Sequence, residues 1–221
     1  MSIEQALLSF AAIAALLTIV PGVDTVLVLR SAISQGRRYA FATAVGINTG
    51  AMTWGVAAAV GASALLAASE FAYTALRIAG AAYVIWLGVT MLWRSFRPAD
   101  PTTTAGASQG AHVAVATGRL HGGLVLAWAK GLGTNLLNPK IGVFYIAMIP
   151  QFIPEGVSPW LMGVALAGVH NLLGLTWFAL IIAGVHTARG RLQRPRYVRF
   201  VDRVCGTALV GFGASLALKS R

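Results

Sequence analysis

The sequence predicts an all-α integral membrane protein with six transmembrane helices, arranged as two inverted three-helix repeats in which helices 1 and 4 are interrupted. Hydrophobic residues make up 57% of the 221 residues, charged residues only 10%, and the mean hydropathy is +0.74. A soluble domain carries about 25% charged residues, so this chain has too little charge to cover a water-soluble globule. The spacing of the apolar runs and the likeness of the two halves supply the rest of the prediction.

Six apolar runs follow one another along the chain, and a bilayer crossing needs about 20 helical residues. Asp24 interrupts the first run, and the fourth contains Lys130, Asn138, Pro139 and Lys140. A polar stretch, 94–123, separates the third run from the fourth and reads as a linker. We therefore divide the chain into a first repeat, 1–93, the linker and a second repeat, 124–221. In order, the runs are 6–29, 39–69, 71–93, 124–153, 156–188 and 204–218.

The basic residues predict the orientation. The net charge is +11, but the arginines concentrate in the loops between spans 1 and 2, 3 and 4, and 5 and 6, whereas the other two loops carry Glu70 and Glu155 and no basic residue. Lys and Arg are retained on the cytoplasmic side of a membrane, so we expect these three loops to be cytoplasmic and both termini periplasmic. We therefore interpret the positive charge as a determinant of membrane orientation rather than as a nucleic-acid binding surface. The 189–199 loop is also a candidate contact for anionic lipid headgroups. The arginines are Arg30, Arg37, Arg38, Arg94, Arg97, Arg119, Arg189, Arg191, Arg194, Arg196 and Arg199.

The two halves share their interruptions. Pro21-Gly22 breaks span 1 and Asn138-Pro139 breaks span 4, while Arg77-Ile-Ala-Gly80 in span 3 has its counterpart in Arg203-Val-Cys-Gly206 in span 6. A repeat of three spans must place its second copy upside down. Inverted repeats with broken helices at matching positions are typical of secondary transporters. The N-terminus has no basic segment before its first apolar run, so we expect no cleaved signal peptide.

Asp24 is the acid placed well inside an apolar run, three residues after Pro21. A carboxylate in hydrocarbon faces a cavity, pairs with a cation or takes up a proton, and a proline frees backbone polar groups that can line a site. We predict Asp24 as a substrate-binding or proton-coupling residue. The alternative is a helix-end acid that pairs with Arg30 near the interface.

The second break supplies Lys140, which directly follows Pro139. Its ammonium group is either the counter-ion of Asp24 or of a substrate carboxylate, or its side chain extends to the membrane interface. His170 is assigned either a packing hydrogen bond or a proton relay. The predicted substrate-binding or proton-coupling set is completed by glycine, proline and amide side chains near the breaks and within spans 2 and 5. The full set is Pro21, Gly22, Asp24, Asn48, Asn135, Asn138, Pro139, Lys140, His170 and Asn171.

Several classes of function lack their signatures. The sequence contains no Gly-Lys-Ser/Thr phosphate loop, no Gly-x-Ser-x-Gly and no His-Glu-x-x-His, so we expect neither an ATP-driven pump nor a hydrolase. Four histidines and the single Cys205 show no metal-ligand spacing. We therefore predict no catalytic residue, no bound metal and no cofactor.

The motifs at the two breaks together resemble the lysine exporter (LysE/RhtB) family, and the resemblance covers almost the whole chain. One departure is Val23, where the family more usually has a second proline. The resemblance implies proton-driven export of amino acids or related small metabolites across a bacterial inner membrane. The motifs are 21–28, 34–38 and 46–50 in the first half, and 135–140, Phe144-Tyr145 and 150–152 in the second.

Two other functions stay open on the sequence. A metal-ion exporter of related architecture would need a loop rich in His, Asp or Cys, and a membrane-embedded enzyme or assembly factor would need a clustered catalytic set or paired cysteines. The expected partners are a small-molecule substrate, protons and the lipid bilayer. Small residues on spans 2 and 6 would also allow a homodimer.

Overall fold

The computed structural model describes residues 1–96, 123–185 and 195–218, and within these ranges it is helical and contains no strand. The linker predicted over 94–123 begins as helix up to Phe96 and ends at Gly123, directly before α5, and its residues 97–122 lie outside the described residues. The elements are α1 (Ile3–Ile19), α2 (Val23–Ser34), α3 (Arg37–Ala68), α4 (Glu70–Phe96), α5 (Leu124–Leu136), α6 (Pro139–Met148), the 3₁₀ helix η1 (Ile149–Phe152), α7 (Pro159–Ala183) and α8 (Pro195–Leu218).

Within the described ranges, two segments are long and apolar enough to cross a bilayer, Thr74–Trp93 of α4 and Pro159–Ala183 of α7. The pair α1 and α2 meets the same standard as a third span if the bend of 55° between them is counted as a break within one crossing. The chain is therefore a helical membrane protein. The number of crossings predicted from the sequence, six, remains a prediction.

Both predicted breaks are present, and the prolines explain them. The residue before a proline is driven out of the helical region by the proline ring, and Val20 and Asn138 are accordingly extended, with ψ of 115° and 105°. Pro21 ends α1, and the chain resumes as α2 after the uncapped Gly22. Pro139 takes the first position of α6, where its missing N–H costs nothing.

The helices of the two halves pack on each other through glycines. Gly88 of α4 and Gly206 of α8 lie face to face, and a Cβ added to either would come within 2.8 Å of the other's carbonyl oxygen. Ala81 lies opposite Gly213 in the same pair of helices, so α4 and α8 run antiparallel. In α3, Gly46 and Gly50 face α5, whereas Gly55 faces α7. Most of these small residues are thus used within the chain, whereas Gly61 of α3 and Gly211 of α8 meet nothing within 4 Å, and the homodimer remains a prediction.

Two apolar clusters form the core. The larger joins α1, α3, α4, α6, η1, α7 and α8 and contains the aromatic side chains Phe10, Phe144, Tyr145 and Phe152. The smaller joins α2, α3 and α7 around Val28, Phe178 and Ile182. Residues of both clusters contribute to the wall of one polar cavity, which holds the candidate site.

Several helices extend beyond the predicted spans: α2 contains Arg30, α3 begins at Arg37, α4 runs from Glu70 to Phe96, and the difference is greatest at the start of α8. We predicted a loop over 189–199 and a sixth span over 204–218, but α8 begins at Pro195. Proline is favoured at the first position of a helix, and Arg196 and Arg203 are exposed, so the basic residues prolong the helix rather than end it. Residues 186–194 lie outside the described residues, as do most of the arginines of the predicted headgroup contact.

Candidate functional site

The two helix breaks meet at Asp24. This residue lies in the first turn of α2 and is 9% exposed. Asn135, one residue before the end of α5, donates from Nδ2 to Asp24 Oδ2 at 2.9 Å. Asn138, in the break between α5 and α6, donates from Nδ2 to the same oxygen at 3.5 Å. The alternative of a helix-end pair with Arg30 is therefore wrong: Asp24 is buried between amides of the second half, and Arg30 is exposed.

A polar cavity, here called the central cavity, lies around this junction. It offers about 60 Å³ to the centre of a water molecule, and a single water needs roughly 10–15 Å³ by that measure. The central cavity therefore has room for several waters or a small solute. Its wall consists of Leu17, Thr18, Val20, Gly22, Asp24, Thr25, Ile47, Asn48, Ala51, Asn135, Asn138, Lys140, Ile141, His170, Asn171, Gly174 and Phe178.

The central cavity brings together eight of the ten residues that the sequence predicts as the site. The other two, Pro21 and Pro139, do not line it but create the breaks on which the wall depends. Asn138 has two functions: its Oδ1 accepts from the backbone N–H of Lys140 at 3.1 Å, as a helix cap, and its Nδ2 donates to Asp24. Its position before a proline therefore explains only half of its interactions.

Lys140 lies on the wall opposite the start of α2. Its Nζ is 3.8 Å from the position that a Cβ would take at Gly22, and its charge interacts electrostatically with that of Asp24. The two groups, both in the described part of the chain, do not form a direct ion pair. Asp24 is favoured at the N-terminus of its helix, where the helix dipole is positive, but Lys140 occupies the same place in α6 and is disfavoured there. The dipole of α6 therefore does not account for Lys140, whose charge is instead opposed by the carboxylates of Asp24 and Asp202.

Three buried acceptor oxygens in the wall have no hydrogen-bond partner within the described residues: Oδ1 of Asp24, of Asn135 and of Asn171. Asn135 is only 1% exposed. Leaving a buried polar atom unpaired costs about 1–3 kcal/mol, so a donor that reached these oxygens would stabilise them. An ammonium group, with three N–H bonds, has the matching chemistry.

His170 closes another part of the wall and is held by a residue that we did not predict as part of the site. Its Nδ1 lies 2.8 Å from the hydroxyl of Tyr145, which is completely buried. The two rings stack with centroids 5.6 Å apart, and Phe144 and Phe10 approach the imidazole edge-on at 5.9 and 6.5 Å. Of the two roles left open for His170, the packing hydrogen bond is present.

Neighbouring residues complete the wall. Asn171 donates from Nδ2 to the carbonyl of Asn48 at 2.9 Å, which joins α7 to α3. Thr25 is buried beside Asp24 and also lines the cavity, although we did not predict it. Adjacency to Asp24 in the first turn of α2 is the signal that would have found it. Tyr145 was noted in the sequence only as part of the motif Phe144-Tyr145, and its pairing with His170 in another helix leaves no signal along the chain.

These features define a class of protein. Apolar helices, two of them broken at prolines, enclose a polar cavity at the point where the breaks meet, as in membrane transport proteins. The comparisons with known proteins agree. The family profile described as LysE type translocator matches residues 15–220, and the chain belongs to this family.

Relatives of similar length align along nearly the whole chain. An uncharacterized membrane protein of Bacillus subtilis, YrhP, is 29% identical over 97% of this chain and 99% of its own. A threonine efflux protein of Salmonella typhi is 27% identical over 90% of each chain. A homoserine/homoserine lactone efflux protein of the same organism is 29% identical over 91% of each. No solved structure gives a significant match.

Proposed function

We propose that this protein is a secondary active exporter of amino acids or closely related small metabolites, coupled to the proton gradient across a bacterial inner membrane. The observation that carries the proposal is the placement of Asp24 and Lys140 in the wall of one cavity lined with unpartnered acceptors. An α-amino acid presents a carboxylate and an ammonium group close together. The cavity wall presents a cation and several acceptors close together, so the charges are complementary.

The carboxylate of the substrate binds near Lys140 in this proposal. The N-terminus of α2 contributes as well, because Gly22 provides no side-chain cap and leaves backbone N–H groups free for an anion. The ammonium group binds the Oδ1 atoms of Asp24 and Asn135. The names of the two efflux relatives, which concern threonine and homoserine, support amino acids of small size as the substrates.

Asp24 is also the proposed proton carrier. A carboxylate that binds the substrate ammonium cannot hold a proton at the same time, so proton and substrate compete for one group. Competition of this kind exchanges a proton from outside for a substrate from inside. Transport then needs no nucleotide and no covalent step, which agrees with membership of a translocator family rather than with an enzyme.

Six crossings and an inverted repeat are part of this proposal. Helices that cross a membrane alternate in direction, so spans 3 and 6 must be antiparallel, and α4 and α8 are. Spans 2 and 5 must be antiparallel too, and α3 and α7 pair Gly55 with Ala167 and Asn48 with Gly174. We further propose that both termini face the periplasm and that the basic loops face the cytoplasm, on the positive-inside rule.

The test is transport by the purified protein in proteoliposomes. Labelled threonine should accumulate when an imposed pH gradient drives protons out of the vesicles through the protein, and should only equilibrate without a gradient. Vesicles without protein are the control for leak. Failure of threonine and of a panel of other amino acids to move under any gradient would overturn the proposal.

A further inference from the structure

The pair Tyr145–His170 determines which nitrogen of the imidazole carries its proton. The Tyr145 hydroxyl is buried, and within the described residues its only hydrogen-bond partner is Nδ1 of His170. If Nδ1 carried the proton, it would donate to the tyrosine oxygen and the tyrosine O–H would be left unpaired in the core. A buried unpaired donor costs about 1–3 kcal/mol. The favoured arrangement therefore has Tyr145 donating and Nδ1 accepting.

The second nitrogen follows from the first. In a neutral imidazole one nitrogen accepts and the other carries the proton, so acceptance at Nδ1 leaves the proton on Nε2. His170 lines the central cavity, and no hydrogen bond occupies its Nε2 among the described residues. Nε2–H is then a donor available to a molecule in the cavity. The ring cannot easily turn away, because Tyr145 stacks on it and Phe144 and Phe10 abut it.

The surroundings of His170 select the kind of acceptor. Apolar side chains, among them Leu17, Ala51 and Ile141, line the central cavity together with His170, and a charged group is costly to bury beside such side chains without a counter-ion. The substrate carboxylate already has Lys140. The group that suits Nε2–H is therefore an uncharged oxygen, such as the hydroxyl of a side chain.

We propose that His170, oriented by Tyr145, is a specificity-determining residue that donates a hydrogen bond to a side-chain oxygen of the substrate and so favours hydroxylated amino acids over their apolar counterparts. Tyr145 is the positioning residue. The proposal rests on the amino-acid export proposed above. A site built to pair a hydroxyl discriminates against an analogue that lacks it, because the site's polar group is then left unpaired.

Threonine and valine test this, because they differ only in a hydroxyl replacing a methyl group. We expect the wild-type protein in proteoliposomes to show a lower KM for threonine than for valine. His170→Leu and Tyr145→Phe should each raise the threonine-to-valine ratio of KM values by about tenfold, the value of roughly one buried hydrogen bond. His170→Gln, whose amide can donate from near the position of Nε2, should restore part of the preference. Tyr83→Phe, which alters a tyrosine outside the central cavity, should leave the ratio unchanged.

The outcomes separate the two proposals. If the wild type transports neither threonine nor valine, export of amino acids is contradicted. If it transports both and the ratio is the same in Tyr145→Phe and His170→Leu as in the wild type, the specificity role is wrong. Equal weakening of both substrates would also overturn it, because His170 would then contact the shared carboxylate. Should His170→Leu fail to fold, the double variant with Tyr145→Phe removes both polar partners and leaves no unpaired hydroxyl, so the ratio can still be measured.

Discussion

The Nδ2 of Asn135 donates to Oδ2 of Asp24 at 2.9 Å and thereby joins the end of one half-helix to the beginning of another, 111 residues away in sequence. Each residue belongs to a different half of the chain and lies within four residues of a proline. The hydrogen bond fixes one carboxylate oxygen of Asp24, and the other, Oδ1, is buried and has no hydrogen-bond partner within the described residues. One oxygen is thus committed to structure and one is available for a proton or a substrate.

Replacing Asp24 by Asn should abolish accumulation of substrate driven by a pH gradient while leaving exchange of substrate across the membrane. Asn keeps the volume and can still accept from Asn135 through its amide oxygen, but it cannot take up a proton. Labelled threonine in proteoliposomes, with and without a pH gradient, measures both activities. Glu155→Gln is the matched control, because it neutralises an exposed acid between η1 and α7. Gradient-driven accumulation by Asp24→Asn would show that Asp24 is not the obligatory proton carrier.

Replacing Lys140 by Met should lower both the stability of the protein and its transport activity. The double variant with Asp24→Asn should recover the stability but not the transport. Loss of the cation leaves a buried carboxylate without an opposite charge, which we expect to cost about 1–3 kcal/mol, less than the 3–5 kcal/mol of breaking a direct buried pair. Thermal unfolding in detergent measures the stabilities, and a double-mutant cycle gives the interaction. Lys130→Met, in α5 and away from the cavity, is the control. Additive effects would contradict an interaction between Asp24 and Lys140.

Gly131→Ala should destabilise the protein by about 1–3 kcal/mol, the usual cost of overpacking. A Cβ at Gly131 would collide with the backbone of α3 at Thr43 and Ile47, where no side chain can move aside. Gly133→Ala, in the same helix, meets nothing within 4 Å and should be neutral or stabilising by up to about 1 kcal/mol, since Ala is the better helix former. Unfolding midpoints in detergent compare the two. Equal stability of the two variants would contradict the close crossing of α3 and α5.

The proposed orientation predicts which cysteines react from outside the cell. Cys205 is 2% exposed, so the unmodified protein should not react with a membrane-impermeant maleimide. In a Cys205→Ser background, Ser2→Cys should be labelled in intact spheroplasts, and Gln35→Cys should be labelled only after permeabilisation. Both positions are exposed, so their difference reports sidedness rather than burial. The reverse pattern would invert the proposed topology.

The sequence by itself determined the membrane class, the family and both helix breaks. Composition excludes a water-soluble surface, and a proline removes an N–H and restricts the preceding residue wherever it stands. Such effects are local, so Pro21 and Pro139 predict their own consequences without knowledge of the fold. The candidate residues Asp24 and Lys140 could be predicted for the same reason: an ion in an apolar run is costly in any arrangement.

Only the tertiary structure decided which of these residues meet. Asn135 could have faced lipid or a neighbouring helix, and its bond to Asp24 depends on how α5 lies against α2 and α3. Tyr145 was missed as a site residue because a tyrosine in an apolar helix ordinarily packs in the core, and its partner His170 lies in another helix, α7. Long-range pairs of this kind have no period along the chain. They arise where two helices cross closely. Glycines permit such crossings, but their positions in the sequence do not show which helices cross.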